Sequence, residues 1–154
     1  MEDIRKLYDL YSKDIYKFVI SLTLNHEASE DIMQNTFVSA IKSLKTFKGN
    51  SSVKTWLLGI AKNEYYTYIR KNPINIQLEE IGEISYNQDK RETHISIMEE
   101  VQKLQEPQKQ IVILRLINEL SFKEIGSIVD RSENYCRVTF FREKQKLWEV
   151  LKGE

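Results

Sequence analysis

Three observations predict an all-α fold of two small helical domains, joined by a flexible acidic linker. Apolar residues recur at helical spacing along nearly all of the 154-residue chain. Glycine (5) and proline (2) are scarce while 30% of residues are charged, a balance foreign to β-sandwiches, collagen-like chains and low-complexity tails. One stretch, 73–94, loses the sustained period and gathers acidic residues, which separates a domain at 1–72 from another at 95–154.

The elements follow in order. Ile4, Leu7, Leu10 and Tyr11, then Ile15, Phe18, Val19 and Leu22, keep the i, i+3, i+4, i+7 rule of a first helix. Asn25 caps a second, whose apolar stripe is Ile32, Met33, Thr36, Phe37, Ala40, Ile41 and Leu44. Gly49 and Asn50 turn the chain, and Ser51 or Ser52 caps a third helix bearing Val53, Trp56, Leu57, Ile60, Ala61, Tyr65, Tyr68 and Ile69 on one side. Asn72-Pro73 ends it, because proline lacks the N–H a helix needs. In the linker a docked strip of Ile76, Leu78, Ile81 and Ile84 is the alternative to free chain. Helical period resumes at Ile95, Met98, Val101 and Leu104, and Pro107 suits a first helical turn. Residues 111–117, IVILRLI, are too apolar for a surface helix. Ser121 and Glu124 fit a capping box before a short helix through Val129, and Ser132 caps a last helix to about Leu151.

Several chemistries are excluded. Cys136 alone makes no internal disulfide or Cys-rich zinc site and reads as a core residue, and His26 and His94 stand too far apart for a histidine metal centre. They read as surface residues. No phosphate loop, nucleophile–base pair or paired carboxylates stand out, so neither catalysis nor a cofactor nor a metal is expected. The N-terminus has no signal-peptide core and no run nears ~18 apolar residues, so a cytoplasmic location is expected. Net charge is zero, 23 Lys+Arg against 23 Asp+Glu, which at first speaks against nucleic acid.

Position reverses that inference. Lys42 to Lys71 holds seven positive residues and one negative, Glu64, and the last helix is also basic, whereas 72–107 is acidic. Attraction to phosphate is screened over roughly 8–10 Å at physiological salt, so local charge decides. Lys54, Leu58, Lys62, Tyr66 and Arg70, four apart, form one stripe read as facing away from the Trp56/Leu57/Ile60 side, with Tyr65 and Tyr68 near the cations. Cations for phosphates and rings for unpaired bases suit a partly single strand, and the loop Lys48-Gly49-Asn50-Ser51-Ser52 offers polar groups to an extruded base. Composition alone equally describes a solvated helix face. Ser121 to Leu147 has helix-turn-helix proportions, and Asn134, Arg137, Val138, Phe141, Arg142 and Gln145 share one side of its second helix. There arginine takes guanine edges and Val138 or Phe141 meets a thymine methyl; a plain helical hairpin is the alternative. Glu30, Asp31, Gln34 and Asn35 make a polar patch that by itself signals only solvation.

These residues carry a resemblance to a family. The chain resembles the extracytoplasmic-function (ECF, group IV) sigma factors, of the sigma-70 family of bacterial RNA polymerase. Asp31, Gln34 and Phe37 stand as in the family's Asp-x-x-Gln-x-x-Phe helix, and Thr55, Trp56, Leu57, Ile60, Ala61 and Asn63 match Thr-Trp-Leu-x-x-Ile-Ala-x-Asn. Residues 104–147 are similar to region 4. The resemblance implies that Asp31, Gln34, Asn35 and Phe37 meet the β′ clamp helices of core RNA polymerase, with Asn35 replacing the family's usual Glu. It implies that Lys48, Asn50, Ser51, Lys54, Trp56, Lys62, Asn63, Tyr66 and Arg70 serve the −10 element. Ser132, Asn134, Arg137, Val138, Phe141 and Arg142 fall on the −35 face, where Asn134 to Thr139 depart from the commoner Gly-Thr-Val-Lys-Ser-Arg. Contact with the β flap, promoter DNA and an anti-sigma factor are implied partners. Rival expectations are a helix-turn-helix regulator acting without polymerase and a protein-binding helical adaptor.

Overall fold

The computed structural model describes residues 2–47, 49, 51–73 and 97–153. Residues 74–94 of the linker, and with them the Ile76/Leu78/Ile81/Ile84 strip, lie outside the described residues, as do Lys48, Asn50 and His94. All regular structure among the described residues is helical: α1 (Glu2–Thr23), α2 (His26–Ser43), a 3-10 turn (Leu44–Thr46), α3 (Val53–Lys71), α4 (97–102), α5 (Gln108–Leu116), α6 (Phe122–Val129) and α7 (Glu133–Lys152).

Local chemistry sets the helix starts. The Asn25 side chain accepts from the Ala28 N–H at 2.7 Å, Ser52 from Thr55 at 3.1 Å and Ser132 from Tyr135 at 3.0 Å. Ser121 and Glu124 close their box in both directions, each side chain accepting the other's backbone N–H at 3.1 Å. Each cap satisfies a donor that the helix itself leaves unpaired. Asp130, in the left-handed conformation at φ 59°, ends α6, as aspartate tolerates better than most residues.

Three buried arcs form the first half of the core: Ile15, Phe18, Val19 and Leu22 of α1; Ile32, Met33, Phe37 and Ala40 of α2; Leu57, Leu58, Ala61 and Tyr65 of α3. Leu10 and Ile41, counted in the apolar stripes by period, are instead exposed at 67% and 51%. Ile41 falls one helical step beyond the buried arc of α2. In the second half Ile111, Val112, Ile113 and Leu114 are all buried, so α5 is enclosed around its circumference, as its composition predicts. Met98 and Val101 of α4, Ile125 and Ile128 of α6, and Cys136, Phe140 and Leu147 of α7 surround it. The halves are not apart. Helix α1 packs on α5 and α3 on α6, and one continuous apolar cluster runs through both.

Two glycines give opposite expectations. A Cβ on Gly126 would lie 2.5 Å from the Arg131 carbonyl, inside the tight turn to α7, while one on Gly59 meets nothing within 4 Å. Gly126→Ala should destabilise by about 1–3 kcal/mol through overpacking. Gly59→Ala should stabilise by about 0.5–1 kcal/mol, because glycine in a helix interior loses the most backbone freedom. Urea unfolding of the two variants checks both signs.

Candidate nucleic-acid and partner interfaces

Helix α7 turns Cys136, Thr139, Phe140, Glu143 and Leu147 inward, which leaves Ser132, Asn134, Arg137, Val138, Phe141, Arg142 and Gln145 exposed. The whole side singled out by period thus faces solvent. Val138 and Phe141 are 53% and 51% exposed, a large apolar pair between two arginines. Phe141 also leans on Phe122 and Phe140, with ring centroids at 5.9 and 5.3 Å. Cations crowd this cluster: Arg115 lies 4.2 Å and Arg137 5.5 Å from the Phe122 ring centre, and Lys144 reaches over Phe140 and Phe141. The Arg115 guanidinium also donates to the Leu120 carbonyl at 2.8 Å and that of Arg137 to Glu133 at 3.1 Å, which holds both beside the ring. Cys136 is buried in this helix, and burial pushes its thiol pKa up, away from redox reactivity.

The stripe on α3 needs correction. Leu58 is fully buried, while Trp56 and Ile60, placed on the core side by period, are partly buried and pack against the core. Tyr65 is 5% exposed, and burial drives its hydroxyl pKa far up, so it is a core ring rather than a base-stacking one. Asn63 and Arg70 are exposed, the latter's guanidinium donating to Thr67 at 3.1 Å. Lys62 is turned inward. Its Nζ donates to the Ile128 carbonyl at 2.7 Å and lies 3.3 Å from the Asp130 carboxylate. Thr55 donates to Glu124 at 3.3 Å, and the Tyr66 hydroxyl accepts from Gln110 at 2.6 Å. A groove of about 370 Å³ runs between the two elements, with Ser51, Trp56, Lys62 and Asn63 on one wall and Ser127, Ile128 and Asp130 on the other.

On α2, Asp31, Gln34 and Asn35 are exposed. Phe37 is not. It is 7% exposed and its ring lies 5.0 Å from Tyr8, so it holds the helix in place instead of meeting a partner. The exposed side continues through Val38 (48%) and Ile41 (51%), giving an apolar strip edged by Asp31, Gln34 and Asn35. His26 is not a bare surface residue. Its Nδ1 is 2.6 Å from the Tyr16 hydroxyl and its Nε2 lies 3.8 Å from Glu30.

Sequence reasoning missed the junction between the halves. Lys109 is 8% exposed and donates to the Leu22 carbonyl at 2.8 Å, and Gln110, fully buried, also donates to Glu106 at 2.6 Å. Asn118 donates to the Asp14 carbonyl at 3.0 Å and Gln102 to that of Ser21. Burial pushes the Glu106 pKa up, opposed by the Gln110 hydrogen bond and the Lys109 charge, and burial lowers that of Lys109. Two polar side chains in a row before four buried aliphatics were the available signal.

Sigma-70 region 2 matches residues 7–73, and Sigma-70, region 4 matches residues 94–147. Together they span most of the chain. It belongs to the sigma-70 family, among its ECF sigma factors.

The ECF RNA polymerase sigma factor SigM of Bacillus subtilis is 28% identical to this sigma factor, over 94% of the chain and 92% of that protein. RNA polymerase sigma factor YlaC of the same organism is 30% identical, over 95% and 90%. The solved sigma factor RpoE from Bartonella quintana, in complex with the anti-sigma factor NepR, superposes with a TM-score of 0.77 at 22% identity, covering 99% and 98% of the two chains. CnrH, in complex with the cytosolic domain of CnrY, gives 0.76 at 18% identity, over 98% of this chain and 88% of that one. These structures share the fold. Region 2 covers most of α1 and all of α2 and α3, and region 4 covers α4 to α6 and most of α7. Among the described residues no His/Cys/Asp/Glu group is placed to hold a metal ion, and no helix is long and apolar enough to cross a membrane.

The buried Glu106 sets a pH dependence. A raised folded pKa contributes stability that is full below the unfolded value and lost as pH rises through the folded one. Glu106→Gln should therefore stabilise this sigma factor at pH 7 and have little effect at pH 4, as read by urea midpoints at both pH values.

Proposed function

We propose that this sigma factor places promoter DNA on two separate faces and core RNA polymerase on a third, with no catalysis of its own. The observation that carries this reading is the exposed α7 face, where Arg137, Val138, Phe141 and Arg142 stand together on the second helix of a capped helix-turn-helix. Such a helix enters a major groove, where a bidentate arginine and an apolar contact to thymine distinguish base pairs. These residues, with Ser132 and Asn134, take the −35 element. On α3 and its loop, Lys48, Asn50, Ser51, Lys54, Trp56, Lys62, Asn63, Tyr66 and Arg70 hold the non-template strand of the −10 element. Opening a duplex costs about 1.4 kcal/mol per stacking step, so capture of an extruded base in the groove beside Trp56 and Asn63 helps nucleate the bubble.

The polymerase contact falls on α2. Asp31, Gln34 and Asn35 meet the β′ clamp helices around the Val38/Ile41 strip, while region 4 meets the β flap. Work beside polymerase puts the chain in the cytoplasm. The RpoE and CnrH structures, described with NepR and with the cytosolic domain of CnrY, support an anti-sigma factor as a further partner. The domains of this reading are 1–72 and 95–154, joined through 73–94.

In-vitro transcription with purified core polymerase tests the proposal. Promoter-dependent initiation is expected. Its absence across a genomic template library would return the chain to a regulator or adaptor. Arg142→Ala should weaken use of a mapped promoter by about 1–3 kcal/mol and relax selection at one −35 position. Asp31→Ala should lower affinity for core polymerase while leaving duplex binding by the free chain unchanged.

A further inference from the structure

We propose that the hollow between α1 and the start of α2 binds a free nucleoside monophosphate, its base against Tyr8, Tyr16 and Met33 and its phosphate on Lys13 and Lys17. The site shares no residue with the faces of α3 and α7, nor with Asp31, Gln34 and Asn35.

The hollow has a volume of about 420 Å³. Helix α1 lines it with Tyr8, Ser12 and Tyr16, four apart, and with Lys13 and Lys17 beside them. Residues four apart stand one above another on a helix, so two rings with a hydroxyl between them form one row and the two cations a second. From Tyr8 to Lys17 the helix rises about 14 Å, which together with the volume suits one small molecule. Both rings are held. Tyr8 is 45% exposed, and its ring packs on that of Phe37 at 5.0 Å. The Tyr16 ring meets the His26 ring edge to face at 5.9 Å, and its hydroxyl lies 2.6 Å from Nδ1 of His26. A planar ligand that stacks on rings already fixed in place costs them little further freedom. Met33, 6% exposed, adds a buried thioether that adapts to an aromatic ligand.

Lys13 and Lys17 are exposed and, among the described residues, enter no ion pair or hydrogen bond, although Asp9 stands one turn before Lys13. Like charges one turn apart on a helix repel. A phosphate removes that repulsion and gives both ammonium groups anionic oxygens. Glu30 of α2 lines the same hollow, 3.8 Å from Nε2 of His26, and its carboxylate accepts hydrogen bonds. It suits the exocyclic amino group of a base. The two helices thus offer opposite charge, cations on α1 and a carboxylate on α2. A nucleotide matches both, whereas inorganic phosphate has nothing for the rings or Glu30 and a neutral nucleoside has nothing for the lysines.

Isothermal titration calorimetry of the full chain with adenosine 5′-monophosphate at low salt tests the site. Saturable one-to-one binding is expected. Lys13→Gln/Lys17→Gln should weaken it at least tenfold, while Lys123→Gln/Lys152→Gln, which removes the same charge from other exposed positions, should leave it within twofold. Adenosine and ribose 5-phosphate should each bind at least tenfold more weakly than the nucleotide. The Lys13→Gln/Lys17→Gln chain should unfold in urea no earlier than the unsubstituted one, because a repelling pair has been removed. No saturable binding, equal losses in the two double variants, or earlier unfolding overturns the proposal. Ribose 5-phosphate binding as tightly as the nucleotide reduces the hollow to a patch for anions and overturns it too. A single-stranded DNA 20-mer that depends on Lys13 and Lys17 and displaces the nucleotide at lower concentration makes the hollow a strand contact, which equally overturns a free-nucleotide site.

Discussion

Helix α5 has apolar residues around its whole circumference, and a helix of that kind has to be enclosed. Ile111 to Leu114 are each at most 1% exposed, which no single neighbouring helix achieves. Helices α6 and α7 cover part of the surface and α1 covers another, so region 2 and region 4 share one core. The polar bonds of the junction follow from that enclosure. Lys109 and Gln110 precede the aliphatic run on the same helix and are carried into the interior with it, where each must find an oxygen. Leu22, Glu106 and Tyr66 supply those oxygens.

The same packing explains why the outer side of α7 and the side of α3 that carries Lys62 differ in exposure. Region 4 approaches region 2 through α6, the first helix of the helix-turn-helix, and the second helix is left with its outer side in water. On α3 the approach of α6 engages Lys62 and the Thr55 hydroxyl, while Gln110 of α5 engages the Tyr66 hydroxyl. The contact is mainly apolar, with Leu57, Leu58 and Ala61 of α3 in one cluster with Ile125, Ile128 and Val129 of α6, and Lys62 adds a bond to the Ile128 carbonyl. The net charge of zero is the sum of basic surfaces and the acidic stretch of 72–107.

Much of the site was legible because it depends on short-range chemistry. Asn25, Ser52, Ser121 and Ser132 act on backbone donors within three residues, so their roles can be read without the fold. The exposed side of α7 was legible because this helix packs on one side only, and Cys136, Phe140 and Leu147 mark that side. Helix α3 was not, because it is covered from two directions. A stripe of Lys54, Leu58, Lys62, Tyr66 and Arg70 looks solvent-facing when only one packing surface is assumed, and Leu58 and Lys62 instead meet neighbours. Phe37 belongs to the family's helix motif yet stands in the core, since a motif records roles in packing as well as in binding.

The sequence by itself determined the helices, their caps, the aliphatic run of α5 and the family to which the chain belongs. Periodicity, capping and motif spacing are properties of neighbours along the chain, and they survive without knowledge of distant contacts. Only the tertiary structure decided that Glu106, Lys109 and Gln110 are buried and that Lys62 is held by Ile128 and Asp130. Those contacts join residues 66 and 68 positions apart in the case of Lys62. Nothing in the local pattern of either segment specifies the other, because their meeting depends on how two separately patterned halves enclose one helix.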